Sequence, residues 1–315
     1  MAVQSLEPAA RGTVAQTWIA HSLEAAFFVK AVPIGRYSGL LERAVPIQHR
    51  LWRAGFSQMG PPIPTRSGAL TFPLGDHILA VYAVVPGFVS FDFPVEPFAD
   101  LLAALHGTAV DVDGQVETFE IDAVARAEPV VAAALVQPEP DPLILAARET
   151  LDLIAPTLER DKAEARQARD ALRRRALAGA LPMVVTHYDA HHNVMIAPDG
   201  RLNLVDWDEL MLAPRERDTW TQLVQPHRAT RFLERYRDTA PNYEPDIDAL
   251  RHYVLTWYFE EIEGLLAPML DSAVEAETRA RYLGWFQSSV EELHEVLRRL
   301  ERGERPWEPP HTEDR

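Results

Sequence analysis

The chain has no cysteine in its 315 residues, which excludes disulfides and thiolate metal sites without fixing a compartment. It also lacks any apolar run near the roughly 18 residues that a membrane span requires. The opening MAVQSLEPAARG has no basic stretch followed by an apolar core. No secretory signal is therefore visible, and a cytoplasmic location is the default expectation. Basic excess is missing as well. A formal net charge of −16 argues against a nucleic-acid partner, which would need a positive footprint, and is compatible with steering small cations inward. Lysine is nearly absent: of 31 Lys plus Arg, only Lys30 and Lys162 are lysine. No internal repeat or low-complexity tract interrupts the chain, and no G-x-G-x-x-G occurs. A single Gly12, in Ala10-Arg11-Gly12-Thr13-Val14-Ala15, stands where a phosphate-cradling loop would be sought.

What is present is an ordinary soluble composition, 47% hydrophobic and 25% charged, in a chain long enough for two cores or a large domain with a smaller lobe. The informative stretch is Val184–Trp220, VVTHYDAHHNVMIAPDGRLNLVDWDELMLAPRERDTW. Two short apolar runs, Val194-Met195-Ile196 and Leu202-Asn203-Leu204-Val205, flank Pro198-Asp199-Gly200 as the arms of a β-hairpin. That hairpin gathers Asp189, Asn193 and Asp206 at one end of a ribbon. A carboxylate base beside two hard oxygen ligands is the set that Mg²⁺-assisted phosphoryl transfer requires.

At these residues the chain resembles the aminoglycoside phosphotransferase family, relatives of protein kinases. His187-Tyr188-Asp189-Ala190-His191 with Asn193 is similar to that family's catalytic loop, and Leu204-Val205-Asp206-Trp207-Asp208 to its metal-binding segment. Leu212-Ala213-Pro214-Arg215-Glu216-Arg217-Asp218 resembles the spectinomycin phosphotransferase branch. The resemblance implies Asp189 as catalytic base, His187 as a hydrogen-bonding brace of the loop, and Asn193 and Asp206 as magnesium ligands. One departure stands out: the family places its metal-binding Asn five positions after the base, and Asn193 follows Asp189 by four. Either the loop is tightened with both roles kept, or Asn193 is displaced and His192 or a water compensates.

The same resemblance implies an α+β, bilobal protein-kinase-like fold. A small antiparallel-sheet lobe with its hinge would span residues 1–87, a larger mainly helical lobe 88–305, and a frayed tail 306–315. Strands are expected over Val14–Ala20, Ala25–Val32, Leu70–Pro73 and His77–Val85. A helix is expected over Ser38–Ala54, with Pro46 early or breaking it. Lys30 ends an apolar strand in an arginine-using chain, so it is either a snorkelling surface lysine or a compact ammonium for nucleotide phosphates. Its expected partner is Glu42 on the first helix. Hinge contacts to adenine would fall in Val81–Gly87, with Tyr82 and Val84, and Gly12 would lie near the phosphates. A charged helix is expected from Pro156 to Ala178.

For the acceptor, Asp208 and the pair Glu260 and Glu263, three apart in Trp257–Glu263, are candidates for receiving ammonium groups; core packing with solvated glutamates accounts for that helix equally well. Arg217-Asp218 reads as a structural salt bridge. The function implied is transfer of a phosphoryl group from ATP or GTP, with Mg²⁺, to a hydroxyl of an aminoglycoside or aminocyclitol. The alternatives are a kinase of a choline-, homoserine- or ketosamine-like metabolite, a nucleotide-binding pseudokinase, or a metal hydrolase built on His187, Asp189, His191 and His192.

Overall fold

A computed structural model describes residues 3–9, 15–137, 141–305 and 307–308. Gly12, Val14 and most of the 306–315 tail lie outside the described residues. Two compact units are formed, one from residues 1–117 and 182–243, the other from 118–181 and 244–315.

The first unit opens with β1 (Val3–Pro8), β2 (Gln16–Ser22), β3 (Ala26–Pro33), helix α1 (Arg36–Arg53), β4 (Thr71–Leu74) and β5 (His77–Ala83). The strands make one sheet in the order β1-β2-β3-β5-β4, every neighbouring pair antiparallel. Strand β1 leaves no trace in the sequence because all six of its residues are exposed, so no alternation marks it. Its presence puts Lys30 on the third strand. Alternation along β3 places Phe28, Lys30 and Val32 on one face. Val32 joins Ile78, Ala80 and Tyr82 of β5 and Leu41 and Val45 of α1 in a common core, with Phe28 packed against it.

Helix α1 passes through Pro46 without a break, contrary to the expectation from sequence. A proline there forfeits the bond to the carbonyl four residues back, which belongs to the exposed Glu42. Burial of Leu41, Ala44, Val45, Ile47 and Leu51 outweighs that loss.

A connecting segment fastens this sheet to the motif-bearing ribbon. Leu204 N donates to Gln58 O at 2.9 Å, Ile63 N to Val81 O at 2.8 Å and Ala83 N to Pro61 O at 3.0 Å. Beyond it come β6 (Phe88–Val89), α2 (Val95–Gly107) and, after residue 182, β7 (Val184–Thr186), β8 (Val194–Ile196), β9 (Leu202–Leu204) and β10 (Met211–Ala213). Strands β6, β8 and β9 form a three-stranded sheet, and β7 pairs with β10. The hairpin expected around Pro198-Asp199-Gly200 is therefore present, with Gly200 at φ +83°. Gly87 is also required: at φ +125°, a Cβ there would lie 2.1 Å from Ile196 O. Helices α5 (Glu216–Leu223) and α6 (Pro226–Arg237) complete the unit, and α6 packs on α2.

The second unit is helical: α3 (Asp122–Val136), α4 (Pro142–Leu177), α7 (Ile247–Leu270) and α8 (Ala276–Glu301). Helix α7 packs against the other three and buries Phe259, Ile262 and Leu266. Helix α4 starts well before Pro156, a correction to the sequence reading. Its start is set by Asp141, whose carboxylate accepts from Leu143 N at 3.0 Å and Ile144 N at 3.1 Å, with Pro142 in the first turn.

Candidate active site

The loop after β7 is held from below by one carboxylate. Asp218 of α5 accepts from His187 N at 2.8 Å and Tyr188 N at 2.6 Å, and meets His106 Nε2 at 3.0 Å. His106 in turn meets Tyr236 OH at 2.6 Å through Nδ1. Burial alone would raise the Asp218 carboxyl. The hydrogen bond and charge of His106, with the His187 contributions, outweigh it and leave the group below its ordinary range. Tyr188 sits at φ +86°, a conformation costing an aromatic residue about 1–3 kcal/mol. Asp218 beneath its N–H and the Arg217 guanidinium 4.3 Å from its ring centre hold it there. Arg217 does not pair with Asp218, as the sequence had suggested. It reaches Thr186 Oγ1 at 3.1 Å, Glu117 at 3.5 Å and Glu209 at 3.8 Å.

His187 is buried, and its Nε2 contacts Val205 O at 2.9 Å while its ring lies 4.6 Å from that of Trp207. Burial depresses its pKa past the opposing pull of Asp218 and Asp189, so the ring is neutral and Nε2 carries the proton donated to Val205 O. This bond braces the loop against the strand that delivers Asp206. Trp207 is fixed by its own indole N–H on Leu204 O at 3.1 Å and by Phe56 at 5.7 Å, edge to face.

Between Asp189 and Asn193 the chain makes a single 3₁₀ turn, Ala190–His192. This tight turn brings Asn193 back beside Asp189. Asn193 Nδ2 donates back to Asp189 O at 2.9 Å and Asp189 Oδ2 at 3.0 Å. Its amide nitrogen thus engaged, Asn193 has Oδ1 as the atom to offer a cation. Val205 N donates to Asn193 O at 3.1 Å, which sets Asn193 beside the residue preceding Asp206. Asp206 is in the left-handed region at φ +60°, a second strained residue at the site.

Lys30 joins the constellation from the other sheet. Its Nζ lies 2.6 Å from Asp206 Oδ1 and 2.7 Å from Asp208 Oδ2, with its side chain only 9% exposed. The surface-lysine reading is thereby removed. Burial would lower its pKa, but the charges of and hydrogen bonds to both aspartates override it and hold it above the ordinary lysine value. Asp208 is also raised: burial leads, Lys30 pulls it down, and the charge of Asp206 pushes it up again. Two carboxylates share one ammonium here. Glu42, expected as the lysine's partner, is exposed on α1 and makes no ion pair with Lys30; Asp206 and Asp208 occupy that role.

Of the remaining candidates, Tyr82 is buried on β5 opposite Phe28, their rings 6.2 Å apart, and Val84 is partly exposed just after the strand. Gly12 lies outside the described residues. Glu260 and Glu263 belong to α7 in the second unit, where Glu263 meets Arg126 at 3.2 Å. The sequence reads Asp218 as structural but pairs it with the wrong group: in a helix whose eight residues are all buried it serves the His187 and Tyr188 N–H groups and His106, contacts that no local spacing marks.

No family model matches the chain, and no curated protein matches it. Solved structures do. Spectinomycin phosphotransferase APH(9)-Ia, in complex with ADP and spectinomycin, is 18% identical, with 94% of each chain covered and a TM-score of 0.66. An aminoglycoside phosphotransferase from Alicyclobacillus acidocaldarius is 19% identical over 96% of this chain and 93% of its own, TM-score 0.54. A choline kinase from Streptococcus pneumoniae is 14% identical over 93% and 94%, TM-score 0.51. The protein therefore has the α+β, protein-kinase-like fold of these phosphotransferases.

Proposed function

We propose that the protein is a small-molecule kinase, transferring the γ-phosphoryl group of ATP or GTP to a hydroxyl of an aminoglycoside- or aminocyclitol-type acceptor. The observation that carries this reading is the convergence of Lys30, Asp189, Asn193 and Asp206, drawn from positions up to 176 residues apart, into one site. Asp189 orients the acceptor hydroxyl and takes its proton as the new O–P bond forms and the bond from the γ-phosphorus to the bridging oxygen breaks, releasing the nucleoside diphosphate. Lys30 supplies a compact ammonium to the nucleotide phosphates, and nucleotide entry competes with its two aspartates. Asn193 Oδ1 and the Asp206 carboxylate are hard oxygen donors that suit Mg²⁺. Bound there, the ion would neutralise charge on the phosphate chain. The Asn193–Asp189 contact across the short turn supports the kinase over the pseudokinase alternative. Lobes spanning 1–87 and 88–305, hinge recognition of adenine near Tyr82 and Val84, and acceptor contacts from Glu260 and Glu263 remain parts of this proposal.

The aminocyclitol class rests on the likeness to a spectinomycin phosphotransferase and on the net charge of −16, which favours cationic acceptors. The likeness to a choline kinase supports a second acceptor class, a smaller cationic alcohol. The test is incubation with Mg²⁺ and ATP or GTP against spectinomycin, other aminocyclitols, choline and homoserine, read by mass spectrometry. A phosphorylated aminocyclitol that is absent with Asp189→Ala supports the reading. A product confined to choline or homoserine moves the acceptor class. Phosphorylation that persists undiminished in Asp189→Ala removes the proposed base.

A further inference from the structure

The shortened loop brings two imidazoles onto the carboxylate proposed as catalytic base. His192 Nδ1 lies 2.9 Å from Asp189 Oδ1 and His191 Nδ1 lies 3.7 Å from the same oxygen. One ligand atom from each of the three residues lies within 4.8 Å of the others. The two rings are neighbours, centroids 3.9 Å apart and tilted 39° to each other. Asp189 Oδ1 itself is buried yet accepts no well-aligned hydrogen bond, although Asn193 serves its partner oxygen. A carboxylate oxygen and two imidazole nitrogens gathered this closely are the donor types a transition-metal ion takes.

We infer that Asp189, His191 and His192 form a binding site for a borderline-soft transition-metal ion of the Zn²⁺ class, separate from the oxygen donors of Asn193 and Asp206, and that occupancy blocks the base. Bonds of about 2.0–2.2 Å place neighbouring ligands of a tetrahedral Zn²⁺ about 3.3–3.6 Å apart. The two measured separations bracket that edge, so small side-chain rotations complete the geometry. A fourth position faces outward, since the His192 side chain is 44% exposed and the Asp189 side chain 38%. Mg²⁺ prefers oxygen ligands in an octahedron and gains little from two imidazoles, whereas Zn²⁺ and Co²⁺ favour them. Ligand chemistry thus sorts the two classes of ion onto two neighbouring donor sets. An ion holding Asp189 Oδ1 denies that oxygen to an acceptor hydroxyl. The inhibitory consequence rests on the kinase reading; the binding does not.

The experiment uses full-length protein freed of any histidine tag, without nucleotide, titrated with Co²⁺ as a spectroscopic probe and with Zn²⁺ by calorimetry. One equivalent with tetrahedral d–d absorption is expected, retained in Asp206→Asn and weakened roughly tenfold or more in His192→Gln and in Asp189→Asn. His191→Asn serves as a second, independent ligand deletion, and thermal melts establish that each variant is folded. Undiminished binding in the folded histidine variants would overturn the inference, as would loss of binding in Asp206→Asn alone. Absence of any bound Co²⁺ also overturns it. In the phosphoryl-transfer assay, Zn²⁺ should inhibit in a manner that excess Mg²⁺ does not relieve. Bound Co²⁺ in a protein with no kinase activity would refute the function while leaving the site intact.

Discussion

Removing the carboxylate under the loop after β7 should cost both stability and turnover. The Asp218 side chain is fully buried and accepts from two backbone N–H groups while facing the His106 ring. Asp218→Ala strands all three partners in a dry interior. One buried unsatisfied donor costs about 1–3 kcal/mol, and breaking a buried charged contact about 3–5 kcal/mol. A loss of about 3–5 kcal/mol is therefore expected, because water entering the new space recovers part of the larger total. Asp218→Asn should cost about 1–2 kcal/mol. Its oxygen can serve both N–H groups, and its NH₂ can donate to His106 Nε2 once the ring proton moves to Nδ1 and points at Tyr236 OH. Turnover should fall about 100-fold in the alanine variant, since Tyr188 loses the bond that holds its left-handed backbone and Asp189 follows it. Urea unfolding gives the stability ladder, and amide exchange at His187 and Tyr188 gives its local origin. The pH dependence has a defined sign. A carboxyl with a depressed folded pKa stabilises the protein above its unfolded value of about 3.9, and that contribution vanishes as pH falls through the folded value. Parent and Asn variant should therefore differ at neutral pH and converge well below pH 4. An alanine variant with the parent's unfolding midpoint and the parent's kcat would refute the bracing role.

Other perturbations divide the site by role. Asp189→Ala should abolish phosphoryl transfer while nucleotide affinity, measured by calorimetry, changes less than about threefold; loss of both together would make Asp189 structural. Inserting a glycine between His192 and Asn193 should lower kcat at least about tenfold, because the 3₁₀ turn is what returns Asn193 Nδ2 to Asp189; a faster enzyme would mean that the native loop is impaired. Glu42→Ala should leave the nucleotide KM within about twofold, given its exposed position and the pairing of Lys30 with Asp206 and Asp208, whereas Lys30→Met should raise it at least tenfold. Gly87→Ala should destabilise the protein by about 2 kcal/mol or more in thermal melts, since the new methyl collides with Ile196 O at a positive φ.

The parts legible from sequence were those whose signal is local. The β8–β9 hairpin announced itself through two apolar runs around Pro198-Asp199-Gly200, and the stretch from His187 to Asp208 carries its chemistry within 22 residues. Pro156 looks like a helix start signal, so the sequence places the start of α4 too late. The true start, Asp141 followed by Pro142, is the same kind of signal 14 residues earlier, and only packing selects between them. Strand β1 was invisible for a different reason: pairing to β2 alone, with every residue exposed, imposes no pattern on its side chains.

Lys30 shows where a local reading must fail. The kinase-like order implied by the resemblance points to Glu42 on α1, the first helix, as its partner. The structure pairs it instead with Asp206 and Asp208, whose approach depends on neither strand alone. It is fixed by Gln58 O receiving Leu204 N and by Val81 O receiving Ile63 N, backbone bonds in which side-chain identity has almost no part. These bonds carry no residue preference, so no residue pattern encodes them. The consequence for Asp208 follows from charge. As a free carboxylate it would suit a cationic acceptor, yet with Lys30 at 2.7 Å its negative charge is largely answered within the protein. Nucleotide phosphates that draw Lys30 away would release that charge. Acceptor affinity should then rise when nucleotide is bound, by reciprocal coupling between the two ligands. Calorimetric titration of an aminocyclitol, with and without a non-hydrolysable nucleotide, measures that coupling. Equal affinities in the two titrations would leave Asp208 as a partner of Lys30 alone.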